Sequence, residues 1–453
     1  MIFCGIDIGT TGTKAVVLER DGQVLDEVTL PVPAASQVYW HEHFCEVMDA
    51  FSSRQRFAGE DIVCSVTGQG GSFVLTDDAF GPIEGACSWT ELADEDVVRD
   101  MIDAFGESDY YHLTGWPPHG WLAACKLRQK IQRDGIAGYV RHIATVPDFV
   151  YAQLTRELCT DITSSQITGL ADFCRKRWSS DVLGWAGISE ELLPPIRPTL
   201  EAIEEGLRTR WGRLTLVTGS HDQYAAMEAA GLVSDTRVML GTGTAWVING
   251  RTSQPLLDDR RFQIHPGADL RPDRCGFIIT LWQIGAGFDR LLSRMRVAHA
   301  SLPELEEAVV NADVPQTRVS VDLDTGEVEP AGDAALSVKR YMEWSGSVVA
   351  HALDDCGLRR GLDRIVVTGG AMSSRLWPQV IAEVCGLVVE AVQCAPFTAY
   401  GAALHAREAV LGPLQPHRFP STAAVRTCTP RRSHEYRRWY ENCQKPMLDA
   451  RNG

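Results

Sequence analysis

The sequence predicts an α/β protein of two domains facing a cleft. Three observations carry that expectation. Residues 2–30 read as an apolar strand, a Gly/Thr turn and two further apolar runs. Residues 237–250 repeat strand, Gly/Thr turn and strand near the chain's midpoint. Alternating strand and helix patterns follow in both halves. At 453 residues the chain exceeds a single core, since domains usually hold about 100–200 residues. The expected division gives 1–235 and 236–453, just past Gly231.

The elements follow in order. "IFCGIDIG" is apolar and β-branched, and "TKAVVLE" and "QVLDEVTLPV" follow, joined by Arg20-Asp21-Gly22. A DG pair between apolar runs marks a hairpin, so the first 30 residues predict a three-strand meander. "DIVCSVTGQGG" (61–71) and "FVLTD" (73–77) read as strands. Residues 120–135 carry helical spacing, with Leu122, Lys126 and Leu127 stacked and Gly135 as the stop. Strand 213–220 runs into a small-residue helix, 221–231. Residues 364–392 read as strand, Gly-Gly turn, helix 373–385 and strand. A second small-residue helix, 397–412, ends at Gly412. Beyond Pro413 the chain is rich in Pro and Arg, with a last helix over 434–443 and Arg431–Arg438 as a solvated face.

Hydrophobic residues make up 45% and charged residues 23%, an ordinary globular balance. A net charge of −16 argues against nucleic acid, whose phosphates are gripped by clustered Lys and Arg, and against an anionic membrane surface. The 13 cysteines form no CxxC pair, the usage of reduced thiols in a cytosolic protein. "MIFCGIDIG" has no basic region before its apolar stretch, and no run of about 18 apolar residues occurs. A soluble cytoplasmic enzyme is expected.

The chemistry begins at the Gly/Thr turns. Gly9 to Thr13 present backbone N–H groups and hydroxyls in a concavity suited to an anion, and Gly241-Thr242-Gly243-Thr244 repeats it. One such turn is ordinarily only a turn; two in matching halves point to phosphate. The chain lacks GxxxxGK[ST] and a strand-to-helix GxGxxG, which excludes the ordinary P-loop and disfavours a dinucleotide dehydrogenase. Asp7 beside the first turn either caps that turn or helps hold Mg²⁺, which takes one or two carboxylates with waters and phosphate oxygens. Asp222 opens a helix after a strand. It either caps that helix or, with Ser220 capping instead and Gln223 beside it, accepts a proton from a substrate hydroxyl. Gly369-Gly370 either packs a helix on the sheet or admits a flat ring. Trp89, Trp121 and Trp282 belong to a core or stack on a sugar, and His221 is structural or meets substrate.

Together these residues resemble the FGGY carbohydrate kinases of the actin-like ATPase superfamily, of xylulokinase and fuculokinase type, in order over residues 2–412. "GIDIGTTGTKAVV" is similar to the first phosphate motif. "VTGQGG" with "CSWTE" is similar to the GQ-and-W segment, and "PDFVYAQLTRELCTDITSSQITGLADF" to the stretch that follows it. "GSHDQYAAMEAAG" resembles the catalytic segment and "LGTGTAW" the second phosphate motif. "TGGAMSSRLWPQVIAEVCG" resembles the adenosine motif. The resemblance implies two ribonuclease-H-like domains flanking a central cleft that takes ATP, Mg²⁺ and a sugar. Asp222 is then the base and Asp7 a Mg²⁺ holder. Thr10, Thr11, Lys14, Gly241 and Thr242 meet phosphates, Gly285 and Asp289 meet nucleotide, and Gly370, Ala371 and Ser374 line the adenosine site. The sugar side comprises Gln69, Gly70, Gly71, Trp121, His221 and Gln223.

Two departures lie on the sugar side. Many ketose members have Met-His where Gly70-Gly71 stand, and others carry Asp-x-Arg where this chain has Thr90-Glu91-Leu92. The side chains missing at 70 and 71 leave room for a larger or differently branched substrate, or for His221 or His119 to enter. The expected activity is ATP-dependent phosphorylation of a small sugar, a ketose ahead of glycerol. The alternatives are a polyol kinase, glycerol- or erythritol-like, and a catalytically silent, sugar-responsive actin-like ATPase. The expected partner is the sugar or polyol, with neither nucleic acid nor membrane, and a homodimer is compatible with the sequence.

Overall fold

The computed structural model describes all residues except 33–37, 55, 56, 58, 135–137, 233, 282, 395, 415–418 and 452–453. The architecture is mixed α/β, in two compact units. The first comprises Met1–Gly231, Thr252–Phe277 and Pro396–Thr422; the second comprises Leu232–Arg251, Ile278–Ala395 and Ala423–Gly453. A single cut between residues 235 and 236 is therefore too simple a description of the compact units, because two later segments return to the first.

The first unit begins with the expected meander, β1 (Ile2–Gly9), β2 (Gly12–Leu18) and β3 (Val24–Pro31), paired antiparallel. Helix α1 (Trp40–Ser52) leads to β4 (Ile62–Gly68), which pairs parallel with β1. Helix α2 (Val146–Thr155) starts at a Thr145/Asp148 capping box. Strands β5 (Ala202–Thr209) and β6 (Gly212–Val217) complete the sheet order β5-β6-β4-β1-β2-β3. The chain then enters α3 (Asp222–Ala229).

Strand periodicity decides which side chains reach the site. Ile2, Cys4, Ile6 and Ile8 join one apolar layer with Trp40 and Phe44 of α1 and Phe149 of α2. Successive strand residues point to opposite faces, so Gly5 and Asp7 face the other way. On that face lies the helix Phe397–Leu411, the expected small-residue helix ended by Gly412. A Cβ on Gly5 would meet the backbone of Ala399 and Ala403, and one on Gly401 would meet the carbonyl of Ala225 on α3. Two glycines thus let this helix sit backbone to backbone between β1 and α3, which is why Pro396–Thr422 belongs to the first unit.

The second unit repeats the scheme. Strand β7 (Arg237–Thr242) pairs antiparallel with β8 (Trp246–Thr252) across the second Gly/Thr turn. Helices α4 (Ile284–Met295) and α5 (Ala334–Asp355) follow. Strand β9 (Arg364–Gly369) pairs parallel with β7, as β4 does with β1. After α6 (Trp377–Cys385) come β10 (Val388–Gln393), parallel to β9, and β11 (Ala424–Cys428), antiparallel to β10. Glu383 of α6 accepts the backbone N–H groups of Arg431 (2.8 Å) and Arg432 (2.6 Å), which fixes the start of the last helices. There Arg432 pairs with Glu435 (2.8 Å) and Arg437 with Glu441 (2.9 Å) on the solvated face.

Two expected helices are shorter than their sequence patterns. The helix of 120–135 is regular only over Ala123–Gln129 and widens to a π-turn over Lys130–Asp134; its expected stop, Gly135, lies outside the described residues. Gly120 and Trp121 are held in a turn instead, where the Gly120 carbonyl accepts Ala93 N–H at 2.8 Å. The helix expected at 373–385 begins at Trp377. A 3₁₀ turn over Gly370–Ser373 ends at extended Ser374, Glu306 accepts the N–H of Arg375 at 2.9 Å, and Pro378 suits a helix's first turn. Among the described residues no helix is long and apolar enough to cross a membrane. All thirteen cysteines are free.

Candidate active site

In the first unit the two acids singled out by sequence come within electrostatic reach of each other. Asp7 stands opposite Lys14 in the β1–β2 register. Burial first, and then the Asp222 charge, raise its pKa to about 7 against the opposing pull of Lys14. Asp222 is the first residue of α3. Neither Ser220 nor His221 caps that helix with its side chain: Ser220 Oγ donates to the His221 carbonyl at 3.2 Å. The Asp222 side chain is 27% exposed, with Oδ1 3.0 Å from His221 Nε2. That approach is out of line for a hydrogen bond, and no donor is aligned on buried Oδ1. The oxygen keeps its accepting capacity.

The segment before α3 is tightly held. Thr67, at the end of β4, donates to the Ser220 carbonyl at 2.6 Å. His221 N–H donates to Thr163 Oγ1 at 2.9 Å, and Thr163 Oγ1 donates to Asp161 at 2.5 Å. Asp161 also accepts the N–H groups of Thr163 (2.8 Å) and Ser164 (3.1 Å) as the cap of a short helix. This chain fixes the backbone from which His221 and Asp222 project.

The sugar-side candidates gather around the same place. A Cβ on Gly70 would run into the His221 ring, so His221 does enter the space in front of residue 70. A Cβ on Gly71 would lie 3.5 Å from Trp89 and 3.7 Å from Trp121. Thr10 joins the two loops: its Oγ1 donates to Gln69 Oε1 at 3.2 Å and accepts Trp89 Nε1–H at 3.0 Å. Lys126 is buried and donates to the carbonyls of Ser88 (2.7 Å) and Gly71 (3.4 Å), and burial lowers its pKa. Glu91 accepts Ser88 N–H at 2.9 Å. Trp121 meets Trp116 edge-on at 5.0 Å, and Trp116 stacks on His265 at 4.3 Å; burial pushes His265 down to about 3. His119 is exposed, 6.2 Å between rings from Trp121. Thr11 is exposed and Gln223 half-buried on α3. Trp282 lies outside the described residues.

In the second unit a cavity of about 270 Å³ gathers Thr242, Gly285, Asp289, Gly370, Ala371 and Ser374. Gly241, one residue earlier in β7, is not among its lining residues. Thr242 is the pivot: its Oγ1 donates to the Thr368 carbonyl at 2.7 Å and accepts Ala371 N–H at 3.1 Å. Gly369 adopts φ +99°, and a Cβ there would press on Thr242 backbone, so the chain can turn out of β9 only with glycine. Gly285 packs α4 on the second Gly/Thr turn, where a Cβ would meet the Gly243 carbonyl. Trp246, Phe288 and Trp377 give the cavity an aromatic wall, with Phe288 and Trp377 ring centroids 4.6 Å apart. The sequence reading passed over Thr163, Phe288, His299 and Trp377. The Arg-Leu-Trp-Pro run over residues 375–378 has no local mark of a cavity wall.

The arrangement has known counterparts. The N-terminal domain of the FGGY family of carbohydrate kinases matches residues 2–228 and its C-terminal domain matches residues 347–409. The glycerol kinase of Nocardia farcinica is 25% identical over 271 residues, 55% of this chain and 53% of that protein. The chain spans about half the length of curated relatives such as this one. Among solved structures, xylulose kinase from Rhodospirillum rubrum superposes with a TM-score of 0.87 at 18% identity, covering 100% of this chain and 99% of that one. Plasmodium falciparum glycerol kinase with ADP superposes with a TM-score of 0.81 at 14% identity, covering 100% and 98%. Likeness at these identities establishes the fold, two ribonuclease-H-like domains of the actin-like ATPase kind.

Proposed function

The chain belongs to the FGGY family of carbohydrate kinases, and from that premise we propose that it transfers the γ-phosphoryl group of ATP to a hydroxyl of a small sugar, with a ketose the favoured acceptor. The observation that carries this reading is Asp222: a partly exposed carboxylate at a helix start, with a buried oxygen that no donor occupies. Phosphoryl transfer asks for positioning, charge neutralisation and an acid that orients the nucleophile. Asp222 Oδ1 accepts the proton of the acceptor hydroxyl, and Gln69, Gly70, Gly71, Trp121, His221 and Gln223 shape the sugar side. Thr10, Thr11 and Lys14 serve the phosphates from the first unit. Gly241, Thr242, Gly285, Asp289, Gly370, Ala371 and Ser374 serve the nucleotide from the second.

Mg²⁺ is expected to accompany ATP, and Asp7 suits it. Asp7 is a buried acid pushed up to about 7 with a second acid nearby, and a cation would offset that charge. Mg²⁺ takes one or two carboxylates with waters and phosphate oxygens, so one acid from the chain can suffice. When bound, the ion neutralises phosphate charge.

The acceptor is a sugar or polyol, since the relatives are named for glycerol, gluconate and xylulose. A ketose is favoured over glycerol because glycerol kinases resemble this chain in Asp-Gln but carry Arg-Glu where Gly70-Gly71 stand. The test is coupled ADP release over a panel of ketoses, aldoses and polyols. Asp222→Asn is expected to lower turnover by about 10²–10⁴-fold while ADP binding persists. Turnover retained in that variant removes Asp222 from its role, and no turnover with any acceptor leaves a silent ATPase.

A further inference from the structure

One hydroxyl joins two loops of the first unit. Trp89 Nε1–H donates to Thr10 Oγ1 at 3.0 Å, and Thr10 Oγ1 donates to Gln69 Oε1 at 3.2 Å. An indole N–H only donates and an amide oxygen only accepts, so the roles are fixed: Oγ1 accepts from Trp89 and gives its single proton to Gln69. The partners are held from behind. The Ser88 carbonyl, just before Trp89, accepts from buried Lys126 at 2.7 Å, and Trp89 N–H donates to Ser72 Oγ at 3.0 Å. Gln69 N–H donates to the Ile8 carbonyl at 3.0 Å, near the end of β1. Thr10 itself is exposed, so a ligand in the Gly9–Thr13 turn reaches its hydroxyl.

A phosphate oxygen only accepts hydrogen bonds. A phosphate that meets Thr10 therefore competes with Gln69 for the same proton. Trp89 sharpens the competition, because its N–H engages one lone pair of Oγ1 and limits the directions in which the O–H can swing. When the O–H turns to phosphate, Gln69 Oε1 loses its donor, and a hydroxyl of the acceptor sugar then satisfies it. The Thr10–Gln69 bond is broken once, whichever ligand arrives first, and the second ligand binds without that loss. Each substrate strengthens the other by the same factor, as linkage requires.

We propose that Trp89, Thr10 and Gln69 form a hydrogen-bond switch that couples phosphate at the first Gly/Thr turn to the sugar side. The inference rests on the phosphate role of Thr10 and the sugar-side role of Gln69 given above. Trp89 is a positioning residue: its indole N–H aims the Thr10 hydroxyl.

The probes are inorganic tripolyphosphate and ADP, each with Mg²⁺, titrated into the ¹⁵N-labelled full chain and followed by nuclear magnetic resonance. The side-chain amide of Gln69 and the indole N–H of Trp89 are identified by their loss in Gln69→Met and Trp89→Phe. Both signals are expected to move together with the backbone amides of residues 9–13. In Thr10→Val the backbone amides should still move and the Gln69 side chain should not, whereas Thr10→Ser should keep the native response. Turnover supplies a second readout, with whichever of D-xylulose, gluconate and glycerol is phosphorylated. The ratio of the apparent KM for ATP at low and at saturating acceptor measures the coupling. That ratio should be about two- to tenfold smaller in Thr10→Val, the size of one hydrogen bond. It should be intermediate in Trp89→Phe, which keeps the ring and loses the N–H. A lower kcat with the ratio unchanged marks a merely structural role and overturns the proposal. Turn amides that move while the Gln69 side chain stays still in the native protein overturn it alone, as does a Gln69 response that persists in Thr10→Val. If neither probe moves the amides of the turn, the phosphate reading of Thr10 falls and takes this proposal with it.

Discussion

His221 fills the space in front of Gly70: a Cβ on residue 70 would run into Nε2 and Cδ2 of the imidazole and lie 3.2 Å from Ile167 Cγ1. The glycine is therefore what permits His221 to stand 3.0 Å from Asp222 Oδ1. Gly70→Ala is expected to displace the ring, costing about 1–3 kcal/mol of stability through overpacking and lowering kcat/KM for the sugar. In a His221→Ala background the same change should cost little, because the obstructed ring is gone. Melting curves and turnover for the four proteins measure the coupling. Equal losses in both backgrounds would show that the two residues act independently.

Arg271 ties α3 to the helix Phe397–Leu411. Its guanidinium donates to both oxygens of Glu228 at 3.0 and 3.2 Å and to Glu408 at 3.2 Å, and both acids are mostly buried. Removing the cation leaves two carboxylates with less compensation. Arg271→Ala is expected to destabilise the fold by roughly 3–5 kcal/mol, the range for breaking a buried pair. Arg271→Lys should recover only part, since an ammonium cannot form the forked contact with Glu228. Urea unfolding followed by circular dichroism checks this, and a midpoint unchanged in Arg271→Ala would refute it.

Asp148 gives stability a pH dependence of known sign. Burial raises its pKa from 3.8 to about 7, against the opposing hydrogen bonds from Thr145. The folded chain therefore holds a proton that the unfolded chain has already released. This contribution is whole below pH 3.8, shrinks as pH climbs toward 7 and is gone above it. Asp148→Asn keeps an acceptor for Thr145 and cannot titrate. The native-minus-variant stability should thus fall between pH 4 and 8 by on the order of a few kcal/mol. A difference that stays level across that range would place the titration elsewhere.

Local chemistry made much of this molecule legible before any coordinates. The Asp-Gly hairpin, the Gly/Thr turns between apolar strands and the helix ending at Gly412 depend on neighbours in sequence, and they form as read. The helix pattern of 373–385 misled at its start because Glu306, distant in sequence, takes the N–H groups of Arg375 and Leu376. Thr10 could be marked as a turn hydroxyl, but its bonds to Gln69 and Trp89 could not.

The amino-acid order by itself determined the strand-turn-strand units, their repetition and the acids at the strand and helix ends, because backbone preference and side-chain period are short-range properties. Tertiary packing alone decided that His221 stands where Gly70 has no side chain, and that two glycines seat the helix Phe397–Leu411 between β1 and α3. Those are matters of volume and approach between segments far apart in the chain, and no local pattern encodes which segment arrives.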